Sequence, residues 1–443
     1  MALEGRQGQR IAVIGSGVGG LSAAWLLSRT SDVTVFEADC RVGGHSNTVD
    51  VVDGDGTFPV DTGFIVFNED NYPNFTAWLR HLDVAVEDSC MSFGVSIDNS
   101  AVEYSGQTLN SVFARRRSIV SPPHWLMMVE IVRFHREARK SLQLGDCAQL
   151  SLHEFLQWKK FGKQFIARFL KPMVAAIWSS PSANVLNFPA ENFFKFFDNH
   201  GLLQVLDMPL WRTVKNGSRE YVSRVCNQLT RPVETDTGVT RIVREEGKVR
   251  LFGKVGEIGV FDQVILATHA DSALSLLASP SNDEETLLSV FKYQSNKAVL
   301  HSDASLMPTR RRAWSSWNYL KSEEGESVSY WMNRLQSLNT QRDIFVTLNP
   351  SEEIKEEEMI AELFYDHPVF NLEVADAQKC LWSLQGKGGV WYCGAHFGQG
   401  FHEDAVQAGL AVAEDISGVR RPWSVKNESG RIWRDAIPSF KVP

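Results

Sequence analysis

Nowhere in the 443 residues does an apolar run approach the ~18 that a helix needs to cross a bilayer. The opening MALEGRQGQR is polar, with neither an apolar core nor a small-residue cleavage site, so no secretory signal is expected. Cysteine is sparse. Cys40, Cys90, Cys147, Cys226, Cys380 and Cys393 are scattered and form no C-x-x-C pair. That excludes a zinc finger, a disulfide framework and a dithiol redox centre, and it points to a reducing compartment, most simply the cytoplasm. Positive charge is not in excess: 45 Lys and Arg stand against 53 Asp and Glu, a net charge of −8. A nucleic-acid partner, which needs a basic face, is not expected. His45, His396 and His402 lack metal-ligand spacing, so no metal is expected either. Repeats and low-complexity segments are missing. The acidic run from Glu352 to Glu362 reads as a solvated helix face.

The chain does hold an ordinary globular composition, 43% hydrophobic and 22% charged, long enough for two or three domains. It is rich in rings, with 26 Phe, 13 Trp and 8 Tyr. These crowd into the middle of the chain, including Phe165, Phe169, Trp178, Phe193, Phe194 and Phe196 and, later, Trp314 and Trp331. Such rings fill cores or line an apolar substrate chamber. RIAVI at 10–14 and VTVF at 33–36 read as buried strands around a glycine cluster and a small-residue helix, the start of a parallel βαβ unit. Residues 76–200 read as mainly helical with some strand near 84–106. Ser151 and Glu154 fit a capping box. Short strands return at 230–268 and 290–350, and VWYCGA at 390 leads through glycines to a helix near 404–416. The class is α/β. Residues 1–75, 205–275 and 385–430 are assigned to one discontinuous dinucleotide-binding domain. Residues 76–204 and 276–384 form an inserted mixed α+β substrate-binding domain.

GSGVGG at 15–20 places Gly15, Gly17 and Gly20 in G-x-G-x-x-G positions between a strand and a helix, with Ser16 inside the turn. Gly15 permits the tight turn, Gly17 lets a pyrophosphate reach the backbone and Gly20 lets helix pack on strand. The helix N-terminus then offers free N–H groups to the phosphates. Glu37 closes the second strand, where a carboxylate can accept from both ribose hydroxyls. Arg41-Val42-Gly43-Gly44-His45 follows and offers a cation and a second glycine turn to the pyrophosphate. A second G-x-G-x-x-G is absent, because Gly386-Lys387-Gly388-Gly389 has the wrong spacing, so a separate NADPH domain is not expected.

GSGVGGLSAAWLL…VTVFEADCRVGGH resembles the N-terminal signature of FAD-dependent oxidoreductases of the flavin monoamine oxidase and phytoene desaturase superfamily. More closely the chain resembles the amine-oxidase-like flavoproteins called predicted NAD/FAD-binding proteins, through PVDTGFIVFNEDNYPNF (59–75), LKPMVAAIWSSP (170–181), the segment 196–222, YDHPVF (365–370) and YCGAHFGQGFHEDAV (392–406). The resemblance implies a Rossmann-type FAD-binding domain with an inserted substrate domain, of glutathione-reductase-like, amine oxidase type, and non-covalent FAD. By that resemblance Gly15, Gly17, Gly20, Glu37, Arg41, Gly43 and Gly44 would hold the ADP half. His45 would lead towards the flavin, and the backbone of Val239 would meet adenine. Gly394, Phe401 and His402 would lie at the flavin, with a helix N-terminus aimed at its N1–C2=O edge. Asp404 stands where the amine-oxidase pattern has glycine; it can cap its own helix and weaken that help. Relatives associated with enzymes of cyclopropane or methylated fatty-acyl lipids imply a lipid-linked substrate.

The chemistry stays open between three readings: hydride removal from a hydrophobic, lipid- or fatty-acyl-derived substrate with oxygen or another acceptor; an amine oxidase; and a flavin-binding accessory subunit of a lipid-modifying enzyme. Lys297, in SNKAVLHSD, could match the lysine near flavin N5, or be an edge-strand surface lysine. His301 and Asp303 alternate on one side of the same strand, as a tuned base or as a structural polar pair. His402 is the third catalytic candidate and His396 a lesser one. Residues 115–140 carry seven basic and two acidic residues around Trp125-Leu126-Met127-Met128. They are a candidate for peripheral contact with an anionic membrane, against the alternative of a solvated basic helix face.

Overall fold

The computed structural model describes residues 8–54, 56–178, 185–199, 203 and 209–435. The Trp178 side chain and parts of the 170–181 and 196–222 segments lie outside the described residues.

A four-stranded parallel sheet, in the order Val390–Tyr392, Gln263–Leu266, Arg10–Ile14, Asp32–Phe36, carries the dinucleotide motif. Ile14 stands level with Phe36 on one side and Leu266 on the other, and Leu266 with Tyr392. All four strands therefore end at one edge, the place where open α/β sheets bind ligands. The helices Val18–Leu27 and His402–Ser417 cross on that sheet backbone to backbone: a Cβ on Gly409 would sit 2.2 Å from the Gly19 carbonyl oxygen. No side chain fits between them, so the start of the C-terminal helix is held against the first glycine turn.

A second sheet has seven strands, in the order Met359–Val369, Lys292–His301, Phe345–Leu348, Glu326–Trp331, Trp317–Lys321, Phe93–Ile97, Val102–Ser105. Only the Trp317–Lys321 and Phe93–Ile97 pair is parallel. Between them in sequence lie helices, among them Pro122–Leu144, Leu152–Trp158 and Ala190–Asn199. Leu152–Trp158 starts as expected: Ser151 Oγ accepts from the Glu154 N–H and the Glu154 carboxylate from the Ser151 N–H.

One expectation is corrected here, and one open alternative is decided. The acidic run is solvated but not helical; it is a 3-10 turn, Glu356–Glu358, running into the strand Met359–Val369, which pairs along the length of Lys292–His301. A partner strand some 60 residues away overrides the local helix preference. Four phenylalanines of the insertion, Phe165, Phe193, Phe194 and Phe197, are core rather than chamber wall. All are fully buried, and the first three lie within 6.4 Å, ring to ring, of Phe134. Packing them edge to face removes them from any ligand.

Candidate active site

Each glycine of the first turn has a different environment. Gly15 has φ +103°, and a Cβ there would meet the Ala267 carbonyl oxygen at 2.8 Å. A Cβ on Gly20 would lie 2.1 Å from the Gly15 carbonyl oxygen, so helix and strand touch through it. Gly17 differs: nothing lies within 4 Å of where its Cβ would be. That open space sits at the N-cap of Val18–Leu27, which has no side-chain cap, so the helix's first N–H groups face it unmet by a capping side chain. Gly44, at φ +58°, brings the second turn to the same place: its Cβ would be 3.1 Å from Gly17 Cα. Ser16 joins the two turns. It donates from its N–H (2.9 Å) and Oγ (2.5 Å) to Glu37 Oε2 and accepts from the Gly43 N–H (3.1 Å). An uncapped helix start beside an empty glycine cradle fits a pyrophosphate.

Two details differ from expectation. Glu37 Oε1 also accepts from the Asp39 N–H, so three of the roughly four acceptor sites of the carboxylate are taken. It has room for one ribose hydroxyl rather than two. Arg41 braces its own turn, donating to the carbonyl oxygens of Gly44 (2.7 Å) and Ser46 (3.2 Å), rather than standing free for a phosphate. Val239 opens the strand Val239–Glu245 and follows Gly238, whose Cβ would touch Ala38 Cβ at 3.4 Å, so it lies next to the Glu37 end of the sheet.

Gly394 (φ +153°) follows the last parallel strand, beside the first turn: a Cβ on Gly19 would lie 3.6 Å from its Cα. Beyond it, His396 Nε2 and Gln399 Oε1 are buried with no partner among the described residues. Phe401 caps His402–Ser417 and stacks on Phe196 at 4.8 Å. His402 stacks on Phe64 at 3.6 Å, and its Nε2 lies 3.0 Å from Ser46 Oγ. Burial holds its imidazole down to about 3, so it is neutral at physiological pH and serves as a hydrogen-bonding plate, not a base. Asp404 accepts from the Phe401 N–H (2.8 Å) and faces Arg431 at 3.4 Å. It caps the helix as expected, and the guanidinium offsets its charge. Glu403 accepts from the N–H groups of Asn74 and Phe75 and from the side chains of Asn74 and Gln407. Burial pushes both carboxyls up, and both are committed to protein partners.

Lys297 and His301 are not brought to this edge, which corrects the catalytic assignment of both. Lys297 is 44% exposed and pairs with Glu362 at 2.6 Å. Strand alternation points its neighbour Asn296 inward instead. His301 lies five residues further, about 17 Å along the strand, where its Nε2 meets Thr347 Oγ1 at 2.7 Å. Asp303 does not clasp it but caps a 3-10 turn through Ser305.

What gathers beside His45 is a set that sequence reading did not single out. The His45 ring lies 5.1 Å from Tyr365 and 5.5 Å from His367, and Asn296 Nδ2 lies 2.8 Å from His367 Nδ1. His269, just past the end of Gln263–Leu266, stacks on Tyr293 at 4.2 Å. Tyr365 Oη lies 2.7 Å from Thr62 Oγ1 and accepts from Asn47 at 3.0 Å. Burial depresses all three imidazoles, His367 to about 4. The available signals were the Tyr365–His367 alternation and the position of His269 at the sheet's ligand edge.

Asp61, in the PVDTGF segment below this set, is buried and accepts from Thr48, the Ser218 N–H and hydroxyl, and Gln336. Those bonds favour the anion, but burial outweighs them and pushes the carboxyl up to about 6 from 3.8. Between those pH values the folded chain holds a proton that the unfolded chain has lost. Asp61 therefore contributes stability below about pH 4 that is lost as pH rises through 6, about 3 kcal/mol in all. Chemical denaturation at pH 4 and pH 7 checks this: the fall in stability shrinks by that amount in Asp61→Asn.

A family model described as flavin containing amine oxidoreductase matches residues 18–314. Over 48 residues the chain is 56% identical to protoporphyrinogen oxidase 2, chloroplastic/mitochondrial, of Arabidopsis thaliana; the match spans 11% of this chain and only 9% of that protein's length. Among solved structures, a CLA-producing fatty acid isomerase from P. acnes superposes with a TM-score of 0.64 at 16% identity, over 93% of this chain and 98% of that one. Putrescine oxidase bound to putrescine gives 0.65 at 16%, over 93% and 99%. Cyclohexylamine oxidase from Brevibacterium oxydans gives 0.63 at 14%, over 92% and 99%. These three share the fold with this chain.

Proposed function

The chain belongs to the flavin containing amine oxidoreductase family and is an FAD-dependent oxidoreductase, and from that premise we propose that its substrate is a neutral, apolar, acyl-bearing molecule rather than an amine. One observation carries this reading. The crevice that opens at Gly398 and Gln399, on the approach to the C-terminal helix, is walled by Phe188 and Phe370 with the amides of Asn192, Asn371, Gln378 and Gln399, and among the described residues no charged side chain lines it. The two carboxylates nearest it in sequence, Glu403 and Asp404, are turned to Asn74, Gln407 and Arg431. A cationic amine would lose its hydration there without gaining a carboxylate, whereas a neutral acyl chain brings no charge to desolvate. The same fold serves a fatty acid isomerase and amine oxidases, so the fold leaves the substrate open and the site must decide it.

FAD held at Gly17 and Gly44 would supply the hydride acceptor for a substrate carbon, with oxygen or another acceptor to take the electrons onward. The chain's own share is to hold the pyrophosphate at Gly17 and Gly44, to aim the His402–Ser417 N-terminus towards the flavin, and to present neutral His45, His367 and Tyr365 as hydrogen-bonding groups. The test is anaerobic mixing of the yellow holoprotein with uncharged fatty-acyl esters, and separately with a panel of amines. Bleaching of the flavin by the acyl compounds alone is expected. Bleaching by amines alone overturns the reading, and silence with both favours a flavin-binding accessory subunit instead.

A further inference from the structure

The helix Pro122–Leu144 buries one stripe, including His124, Met127, Phe134 and Ala138, against the phenylalanine core. The opposite stripe of a surface helix is ordinarily polar. Here Trp125 (49% exposed), Leu126 (53%), Val129 (62%) and Val132 (60%) occupy it. The chain leading into the helix adds Leu109 (81%) and Val120 (82%). Eight of the 17 large apolar residues exposed among the described residues fall between 109 and 144, so this is a patch and not scatter.

Cations flank the patch at both ends. Arg115, Arg116 and Arg117 precede it. At 100° per residue, Trp125, Val129, Val132, Arg136 and Arg139 lie within about 80° of one another, so the helix face passes from apolar to basic along its length. Arg115 and Arg116 donate to the Ala101 and Phe113 carbonyl oxygens, which leaves their charge uncancelled. Arg117 and Lys140 form no ion pair among the described residues. Arg136 is paired only to its neighbour Glu137 (3.5 Å) and Arg139 only to Asp198 (3.7 Å).

We propose that this face docks on the surface of an anionic lipid bilayer. Trp125, Leu126, Val129 and Val132 would enter the boundary between headgroups and acyl chains, and Arg115–Arg117, Arg136 and Lys140 would meet lipid phosphates. Charge complementarity selects this occupant. The chain as a whole is −8 while this segment is basic, so an anionic sheet is repelled by the rest of the surface and drawn to this one. A two-fold contact with a second copy would set these arginines against one another. No described helix is long and apolar enough to cross the membrane, so the contact is peripheral. The proposal stands apart from the substrate reading, because docking is measured without turnover.

The test is co-sedimentation of the holoprotein with vesicles of phosphatidylcholine containing phosphatidylglycerol, and with phosphatidylcholine alone, at low and high salt. Binding is expected to the anionic vesicles at low salt and to fall with salt. R115Q/R116Q/R117Q should weaken it on the order of 100-fold and V129S/V132S at least tenfold, both with flavin absorbance and unfolding midpoint kept. No binding to anionic vesicles, or equal binding by both variants, overturns the proposal. So does dimerisation without lipid, measured by analytical ultracentrifugation and lost in V129S/V132S, which would make the face a contact between copies.

Discussion

Gly17→Leu is expected to give a folded but colourless protein. Gly17 has φ −64° and ψ 171°, which any L-residue adopts, and open space where its Cβ would point. Leucine therefore strains nothing in the empty chain. It fills the cradle formed with Gly44 and covers the uncapped start of Val18–Leu27, where the pyrophosphate must approach the backbone. Flavin occupancy should fall to roughly a tenth of the wild-type value or less. The unfolding midpoint should match that of wild-type protein stripped of flavin. Absorbance of the purified protein, with the flavin released on denaturation, measures the first; thermal unfolding measures the second. Normal flavin content in Gly17→Leu would remove the site assignment. Gly20→Ala makes the contrast: its Cβ would collide with the Gly15 carbonyl oxygen, so a single added carbon three residues on should cost fold as well as flavin.

Arg421→Met should cost about 3–5 kcal/mol of stability, because it leaves Glu414 and the Asn74 amide oxygen without their buried partner. Arg421 is fully buried. Its Nε donates to Glu414 at 2.8 Å and its NH1 to Asn74 at 2.8 Å and to the Glu428 carbonyl oxygen at 2.9 Å. Asn74 in turn binds Glu403, so the guanidinium ties the C-terminal helix to the helix Pro73–His81 from both ends. Arg420 touches the same Glu414 from the surface, where its side chain is 56% exposed. Arg420→Met should cost less than about 1 kcal/mol. Denaturant unfolding of the two variants, side by side, separates burial from mere ion-pair geometry. Equal losses would show that the network is not what holds the helix start in place.

The dinucleotide half was legible because its determinants are local. Gly15 and Gly20 are required by backbone geometry within one βαβ unit, Gly17 leaves the open space at the helix start, and Ser16 and Glu37 meet across two adjacent strands. The Ser151–Glu154 capping box and the strands at 239–245 and 263–266 were readable for the same reason. Legibility failed where a contact spans the chain. The aromatic count could not say core or chamber, since a phenylalanine looks the same in both until its neighbours are placed. Lys297 stood one residue from the inward-facing position. In a strand one residue is the whole difference between faces, and the register is set by Met359–Val369, far away in sequence.

By itself, then, the sequence determined the family the chain joins, its FAD cofactor and the two glycine turns that stand together at the sheet's edge. Glycines spaced between an apolar strand and a helix announce themselves without a partner. Only the tertiary structure decided what gathers beside His45 and at the start of the C-terminal helix. It joined His45, His269 and His367, turned Glu403 and Asp404 to Asn74 and Arg431, and left Trp125, Val129 and Val132 facing outward. A side chain's charge, exposure and reach depend on which distant element packs against it, and that is a property of the fold.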